Sequence, residues 1–307
     1  MDLRTLRYFT VVAQKRNITR AAEALAMSQP PLSLQMRSLE EELGAQLFVR
    51  GKRRLTLTAE GEQLLRRAHQ ILELAEKTQQ EIKTMRSGMS GTVFLAMVEG
   101  RAPYLAAQWI AGFKEEYPMV RYNLWNGSSD DILDRLRRGL ADLAIVAAPY
   151  DHEHLDGFPV GIEPWVAIIP KNHPLAKLEG EEIPLNSLKE EPLIVPSRKS
   201  RIEAIRSWFG EIGAEPNIVC EMSNYVDAVA LAEQEVGISI FPQTTYTQNK
   251  LVVSKIISQP IRQVKYVLVW NKEQHPSGLI EEFIHFVQDF QEADESPEGT
   301  AEADGRH

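Results

Sequence analysis

Gln29, Ser33 and Arg37 stand four residues apart behind Ser28, a row of side chains that can donate to or accept from base edges and phosphates. Leu34 beside them offers an apolar contact for a thymine methyl. Further along, Arg50, Lys52, Arg53 and Arg54 surround Gly51, and cations so clustered suit phosphates or a minor groove. The chemistry these residues offer is recognition of a duplex, without the making or breaking of bonds.

The elements that must hold them can be read around them. Thr19 to Met27 has the composition of a helix, with Ala21, Ala22, Ala24 and Ala26 small enough for another helix to approach closely. Ser28 is expected to cap a second helix through its hydroxyl, with Pro30 and Pro31 where a missing N–H costs little. Leu32, Met36, Leu39 and Leu43 recur at helical spacing and are expected to face a core, and Gly44 stops the helix. Gln29, Ser33, Leu34 and Arg37 then form the outer face, as on a recognition helix in the major groove, with Thr19, Arg20, Ser28, Pro30 and Pro31 bordering it. Leu47 to Val49 and Leu55 to Leu57 read as a hairpin with the basic tip between them, a wing. Residues 1–58 hold ten Lys and Arg against five Asp and Glu, whereas the whole chain carries −9 and the remainder therefore −14. An acidic chain with one basic end places its polyanionic partner at that end.

After this head, residues 59–87 contain no proline and no glycine beyond Gly61, with Leu65, Ala68, Leu72, Ala75, Gln79 and Ile82 at alternating steps of three and four. That is a heptad seam able to pair two chains, with Gln79 setting register; packing against the helix's own domain is the other reading of the same spacing. Ser87-Gly88-Met89-Ser90-Gly91 places a hinge at 88–91. Beyond it, strand-like and helix-like runs alternate, which predicts an α/β domain over 92–291 with a largely parallel sheet. Two lobes are expected, lobe I from 92–161 and 266–291 and lobe II from 162–265, with a cleft where the chain crosses between them. The acidic stretch 292–307 is expected to be a disordered tail.

The segment Leu3 to Gly61 resembles the N-terminal domain of LysR-type transcriptional regulators. The resemblance rests on LRTLRYF at Leu3 to Phe9, TRAAEAL at Thr19 to Leu25, SQPPLSLQMRSLEEELG at Ser28 to Gly44, LFVR at Leu47 to Arg50 and LTAEG at Leu57 to Gly61. Leu34 departs from it, since relatives often carry a cation there. Weaker motifs extend the likeness over Thr92 to Gln291: GFKEEYP at Gly112, LRRGLADLAIV at Leu136, IPKNHPLA at Ile169 and VGISIFP at Val236. The resemblance implies a winged helix-turn-helix, a long dimerisation helix, and a two-lobed effector domain similar to type 2 periplasmic binding proteins. It also implies a homodimer or homotetramer on double-stranded DNA, RNA polymerase as a partner, and a small-molecule effector. The family's effector contacts fall in this chain on Glu99, Gly100 and Arg101, on Gly127, Ser128 and Ser129, and on Pro196, Ser197, Arg198 and Lys199. Strand ends and helix N-termini suit an anion, and Arg101 and Arg198 could grip a carboxylate from both sides; Ser128 suits a helix cap equally well, and Glu99 could take a cationic group.

Catalytic chemistry finds no anchor, so no catalytic residue, cofactor or metal site is expected. The lone Cys220 sits in an apolar strand pattern, and the polar run Asp151 to Asp156 reads as a solvated crossover. No phosphate loop, HExxH or GxSxG occurs. Met1 is followed by charged Asp2 and Arg4 without an apolar core, and no run reaches membrane-spanning length, so a cytoplasmic location is expected. A solute-binding protein or a cleft enzyme would share the two lobes, but the first would need export and the second a catalytic cluster.

Overall fold

The computed structural model describes residues 1–50, 55–84, 90–244, 251–274 and 276–295, and the chain divides into two units, Met1–Gly91 and Thr92–His307. In the first unit, α1 (Leu3–Lys15), α2 (Ile18–Ala24) and α3 (Gln29–Leu43) precede β1 (Phe48–Arg50), β2 (Leu55–Leu57) and the long α4 (Ala59–Thr84). Asp2 starts α1 by accepting the Thr5 N–H at 2.7 Å, and Asn17 starts α2 by accepting that of Arg20 at 3.1 Å. Helix α2 stops short of Met27 because Ala26 turns the chain at φ 52°. Ser28 does not cap α3 with its side chain. The N–H groups that such a cap would bind belong to the second and third helical residues, which here are Pro30 and Pro31 and have none. Leu32, Met36 and Leu39 are buried against Leu6, Phe9, Val12, Ala21 and Phe48, whereas Leu43, one turn further, is 41% exposed. Gly44 ends the helix at φ +63°.

The hairpin is antiparallel, with Phe48 opposite Leu57 and Arg50 opposite Leu55. Glu40 of α3 holds its first strand by accepting the Leu47 and Phe48 N–H groups at 2.8 and 3.2 Å. Thr58 caps α4, its hydroxyl accepting the Gly61 N–H at 2.9 Å and donating to the Gln46 carbonyl. Gly61 is required there: a Cβ would stand 2.1 Å from the Leu47 carbonyl oxygen.

The second unit has three clusters of buried residues on one continuous sheet, one in lobe I and two in lobe II. Strands β3 (Gly91–Met97), β4 (Val120–Asn126) and β5 (Leu143–Ala147), with α5 (Ala102–Glu116) and α6 (Ser129–Arg137), make lobe I. Strand β6 (Leu155–Pro170) then runs from lobe I into lobe II, which holds β7 (Glu182–Pro184), β8 (Pro192–Pro196), α7 (Lys199–Glu211), β9 (Asn217–Met222), α8 (Tyr225–Glu233), β10 (Ile238–Pro242) and β11 (Val252–Ser258). The chain returns through β12 (Gln263–Asn271) and α9 (Gly278–Glu295). Sheet order is β4-β3-β5-β12-β6-β10-β8-β9, with β11 on β6 and β7 on β11. The sheet is mixed rather than largely parallel: β3–β5, β10–β8 and β8–β9 are parallel, but the strands that cross between lobes pair antiparallel, because β6 and β12 run in opposite directions.

Three boundaries differ from the sequence expectation. Ile162 to Pro164 pair with Lys265 to Gln263 alongside the rest of the β6–β12 ladder, so the crossing falls at Pro164/Trp165 and just before Gln263, not at 162 and 266. Val264 belongs to the lobe I core and Trp165 to that of lobe II. Gly91 is a buried residue of β3 rather than part of a hinge, while Gly88 and Met89 lie outside the described residues. Helix α9 continues through Glu295, four residues into the stretch expected to be a tail; 296–307 lie outside the described residues.

Candidate functional site

In the first unit, α3 presents Gln29, Pro30, Pro31, Leu34 and Arg37 to solvent, with Ser33 half-buried beside them. Leu34 is 66% exposed, an apolar side chain left on an otherwise polar face. Ser28, whose hydroxyl makes no cap, and Thr19 and Arg20 on α2 are exposed as well. Arg50 ends β1, and Lys52, Arg53 and Arg54 lie outside the described residues. A short helix followed by one with an open, hydrogen-bonding N-terminal face has the form of a major-groove reader.

The residues of the predicted seam on α4 do not share one environment. Ala68 is fully buried, and Leu65 and Leu72 pack on the same core as Phe9 and Met36. Ala75 is half-buried, and Gln79 and Ile82 are exposed. The first half of the seam therefore serves the helix's own unit, and Ile71, Leu74 and Ile82, at 38%, 43% and 62% exposure, form the apolar face left open.

In the second unit a cavity of about 590 Å³ lies between the lobes. Lobe I contributes Glu99, Gly100, Gly127, Ser128 and Ser129, and lobe II contributes Pro196, Ser197, Arg198 and Lys199. Every expected effector contact but one is thus brought together. The exception is Arg101, which does not line the cavity: its Nη1 donates to Glu163 Oε1 at 2.6 Å. Glu163 is only 7% exposed, and a carboxylate so enclosed needs a cation more than a ligand in the cavity does. Ser128 does act as a cap, accepting the Asp131 N–H at 3.2 Å and donating to its carboxylate at 2.5 Å.

Several cavity residues are not among the expected contacts. Trp165, 1% exposed, stands where β6 passes into lobe II, Tyr266, 2% exposed, lies on the lobe I part of β12, and Phe241 adds a third aromatic ring. The Arg101 backbone hydrogen-bonds the Tyr266 phenol, whose burial pushes its pKa up to about 12. Gly100 lets that hydroxyl approach, since a Cβ there would lie 2.6 Å from it and the backbone φ is +98°. Arg201, in the first turn of α7, has its guanidinium 5.6 Å from the Trp165 ring centre. Burial and the neighbouring Arg198 lower its pKa, while Tyr266 opposes the fall. The signal for it in the sequence was its place three residues after Arg198, which puts both on the turn that opens α7.

Glu99 lies two residues past β3 and accepts the Tyr225 N–H from the start of α8 at 3.2 Å. Its wall position raises the carboxyl pKa, mainly through burial and further through Asp227, while the Tyr225 hydrogen bond opposes the rise. At the rim, Arg198 Nη2 donates to Asp130 Oδ1 at 2.9 Å. Unlike α6 and α8, capped by Ser128 and Asn224, α7 has no side-chain cap and no acid in its first turn. Its first N–H groups add to the positive end of the cavity.

Residues 3–62 match the family model described as a bacterial regulatory helix-turn-helix protein of the lysR family, and residues 86–292 match the LysR substrate binding domain. The Hca operon transcriptional activator HcaR of Escherichia coli (strain K12) is 31% identical over 94% of this chain and 98% of its own. The regulator AlsR of Bacillus subtilis (strain 168) is 29% identical over 93% and 95%. The fold matches the crystal structure of CbnR, a LysR family transcriptional regulator, with a TM-score of 0.79 at 23% identity over 95% of this chain and 99% of that one.

Proposed function

The chain belongs to the LysR family of DNA-binding transcriptional regulators, and on that premise we propose that it reads a pseudo-palindromic promoter site as a homo-oligomer and answers to a small metabolite with an anionic group held between its two lobes. In this reading residues 1–58 are the DNA-reading head, 59–87 the helix that joins two copies, and 92–291 the effector domain. The protein works in the cytoplasm, where promoter and RNA polymerase are found. The head is supported by the open face of α3, and pairing of copies by Ile71, Leu74 and Ile82 on α4. A dimer sets two heads on two half-sites, which multiplies the information read.

The observation that carries the ligand half is Arg201: a largely enclosed guanidinium facing a cavity of effector size with no carboxylate of its own among the described residues. A ligand that prefers one arrangement of the lobes changes DNA affinity by linkage, to the extent that it binds the two arrangements differently. The test is affinity of the purified protein for its own upstream DNA against unrelated DNA, at two salt concentrations, with a panel of small organic acids added. Specific binding that survives the higher salt and shifts with one acid supports the reading. Binding that is indifferent to sequence and vanishes with salt refutes it.

A further inference from the structure

The cavity's walls carry two opposite charges that no described residue neutralises, and the inference drawn from them rests on the cavity being the effector site. On lobe II, the Arg201 guanidinium makes no ion pair or hydrogen bond among the described residues; it faces the Trp165 ring, while its backbone N–H donates to the Arg198 carbonyl at 2.8 Å. On lobe I, Glu99 accepts one backbone N–H and meets no cation among the described residues, and the charge nearest to it in effect is Asp227, of the same sign. The other charges around the cavity are engaged: Arg198 with Asp130, Asp131 with Ser128, Lys199 with Glu203 out in solvent, and Arg101, behind the wall, with Glu163. Beyond Glu99 a second hollow of about 440 Å³ adjoins the first, sharing Glu99 and Tyr225 and lined by Asp227, Asn126 and Tyr104. One end of the combined space is thus cationic under aromatic rings, and the other is acidic and polar.

We propose that the effector is dipolar: a small molecule with an anionic group for Arg201, an ammonium or similar cation for Glu99, and an apolar body lying against Trp165 and Phe241. Arg201 is half-buried and Glu99 exposed at the mouth of the hollow, and a zwitterion supplies a counter-charge to both at once. A simple monoanion would satisfy Arg201 but bring a like charge towards Glu99 and Asp227, so the acidic end acts as a filter against it.

The test uses the full-length protein and three isosteric triads: phenylalanine, 3-phenylpropionate and 2-phenylethylamine; alanine, propionate and ethylamine; 6-aminohexanoate, hexanoate and hexylamine. Binding is followed by calorimetry at neutral pH, with specific DNA binding measured on the same preparation. The expected result is a dipolar member that binds at least tenfold more tightly than both of its singly charged counterparts. Glu99→Gln should remove that preference while sparing the monoanion, and Arg201→Gln should weaken both, with melting temperatures reporting that each variant is folded and Arg201→Lys restoring part of the affinity. Monoanions that bind as well as zwitterions, a preference that survives Glu99→Gln, or no binding in any triad overturns the proposal. Since DNA recognition is read separately, its loss counts against the regulator reading instead.

Discussion

Arg198 of lobe II and Asp130 of lobe I meet at 2.9 Å across the rim of the cavity, so the chain supplies its own carboxylate to one of the cations that face the cleft. Asp130 is 76% exposed, which makes this a screened pair rather than a lock. A double-mutant cycle with Asp130→Asn and Arg198→Gln, followed by urea denaturation, should give a coupling of about 0.2–1 kcal/mol. A coupling of about 3 kcal/mol, the scale of buried pairs, would mean that the rim is closed to water.

Gly61→Ala should destabilise the head. The added methyl would sit 2.1 Å from the Leu47 carbonyl, and moving either α4 or β1 disturbs the Phe48 packing. A loss of about 1–3 kcal/mol is expected from such overpacking. Thermal melting of the variant measures it, and an unchanged midpoint would show that the start of α4 shifts freely.

On α4, two substitutions should separate folding from pairing. Ala68→Leu forces volume into a site with no exposed surface, and should lower the melting temperature. Ile82→Asp lies on the open apolar face and should shift sedimentation towards smaller species with little change in melting. If Ile82→Asp leaves the assembly intact, another surface joins the copies.

Gln29→Ala should alter the preference at one base-pair position by about 1–3 kcal/mol. Arg53→Ala should weaken binding to every sequence alike and reduce the salt slope by about 0.9, the share of one neutralised phosphate. Binding competition over a library of half-sites at two salt concentrations distinguishes the two effects. Equal, sequence-independent losses for both would remove α3 from the groove.

The alkaline limb of stability should depend on Tyr266. The native phenol holds its proton up to about 12. An unfolded tyrosine releases its own near about 10. Stability contributed by the protonated phenol is complete below the lower value and is lost as pH rises through the upper one. Tyr266→Phe should flatten the fall in melting temperature over this interval, and an unchanged fall would assign it to other groups, such as Tyr122, which burial also raises to about 12.

What could be read in the sequence, and what could not, divides along physical lines. Local chemistry was plain: Gly44 as a helix stop, the basic hairpin, and the strand ends that deliver Ser129 and Ser197 to the cavity. Competition between partners was not. Arg101 and Arg201 are both cations near a strand end or helix start, and only the fold shows that the first is claimed by buried Glu163 while the second is left facing the cavity. The seam was ambiguous for a similar reason, since a heptad of apolar residues suits an internal core and a partner helix equally well. The capping reading of Ser28 overlooked that a cap needs donors, which Pro30 and Pro31 withhold. Strand β6 was too long to see, because its first half reads as a loop until β12 lies beside it.

That strand sets the mechanics of the lobes. Its backbone is one unbroken ribbon through both cores, and the Trp165 N–H donates to the Arg262 carbonyl at 2.8 Å where the returning chain passes alongside. Two ribbons stitched side by side resist sliding along their length and yield to flexing out of plane, so they guide the lobes along an arc rather than let them drift. Trp165 stands at that passage and lines the cavity, so a guest pressed against its indole would bear on the spring instead of pushing at the ends of the lever.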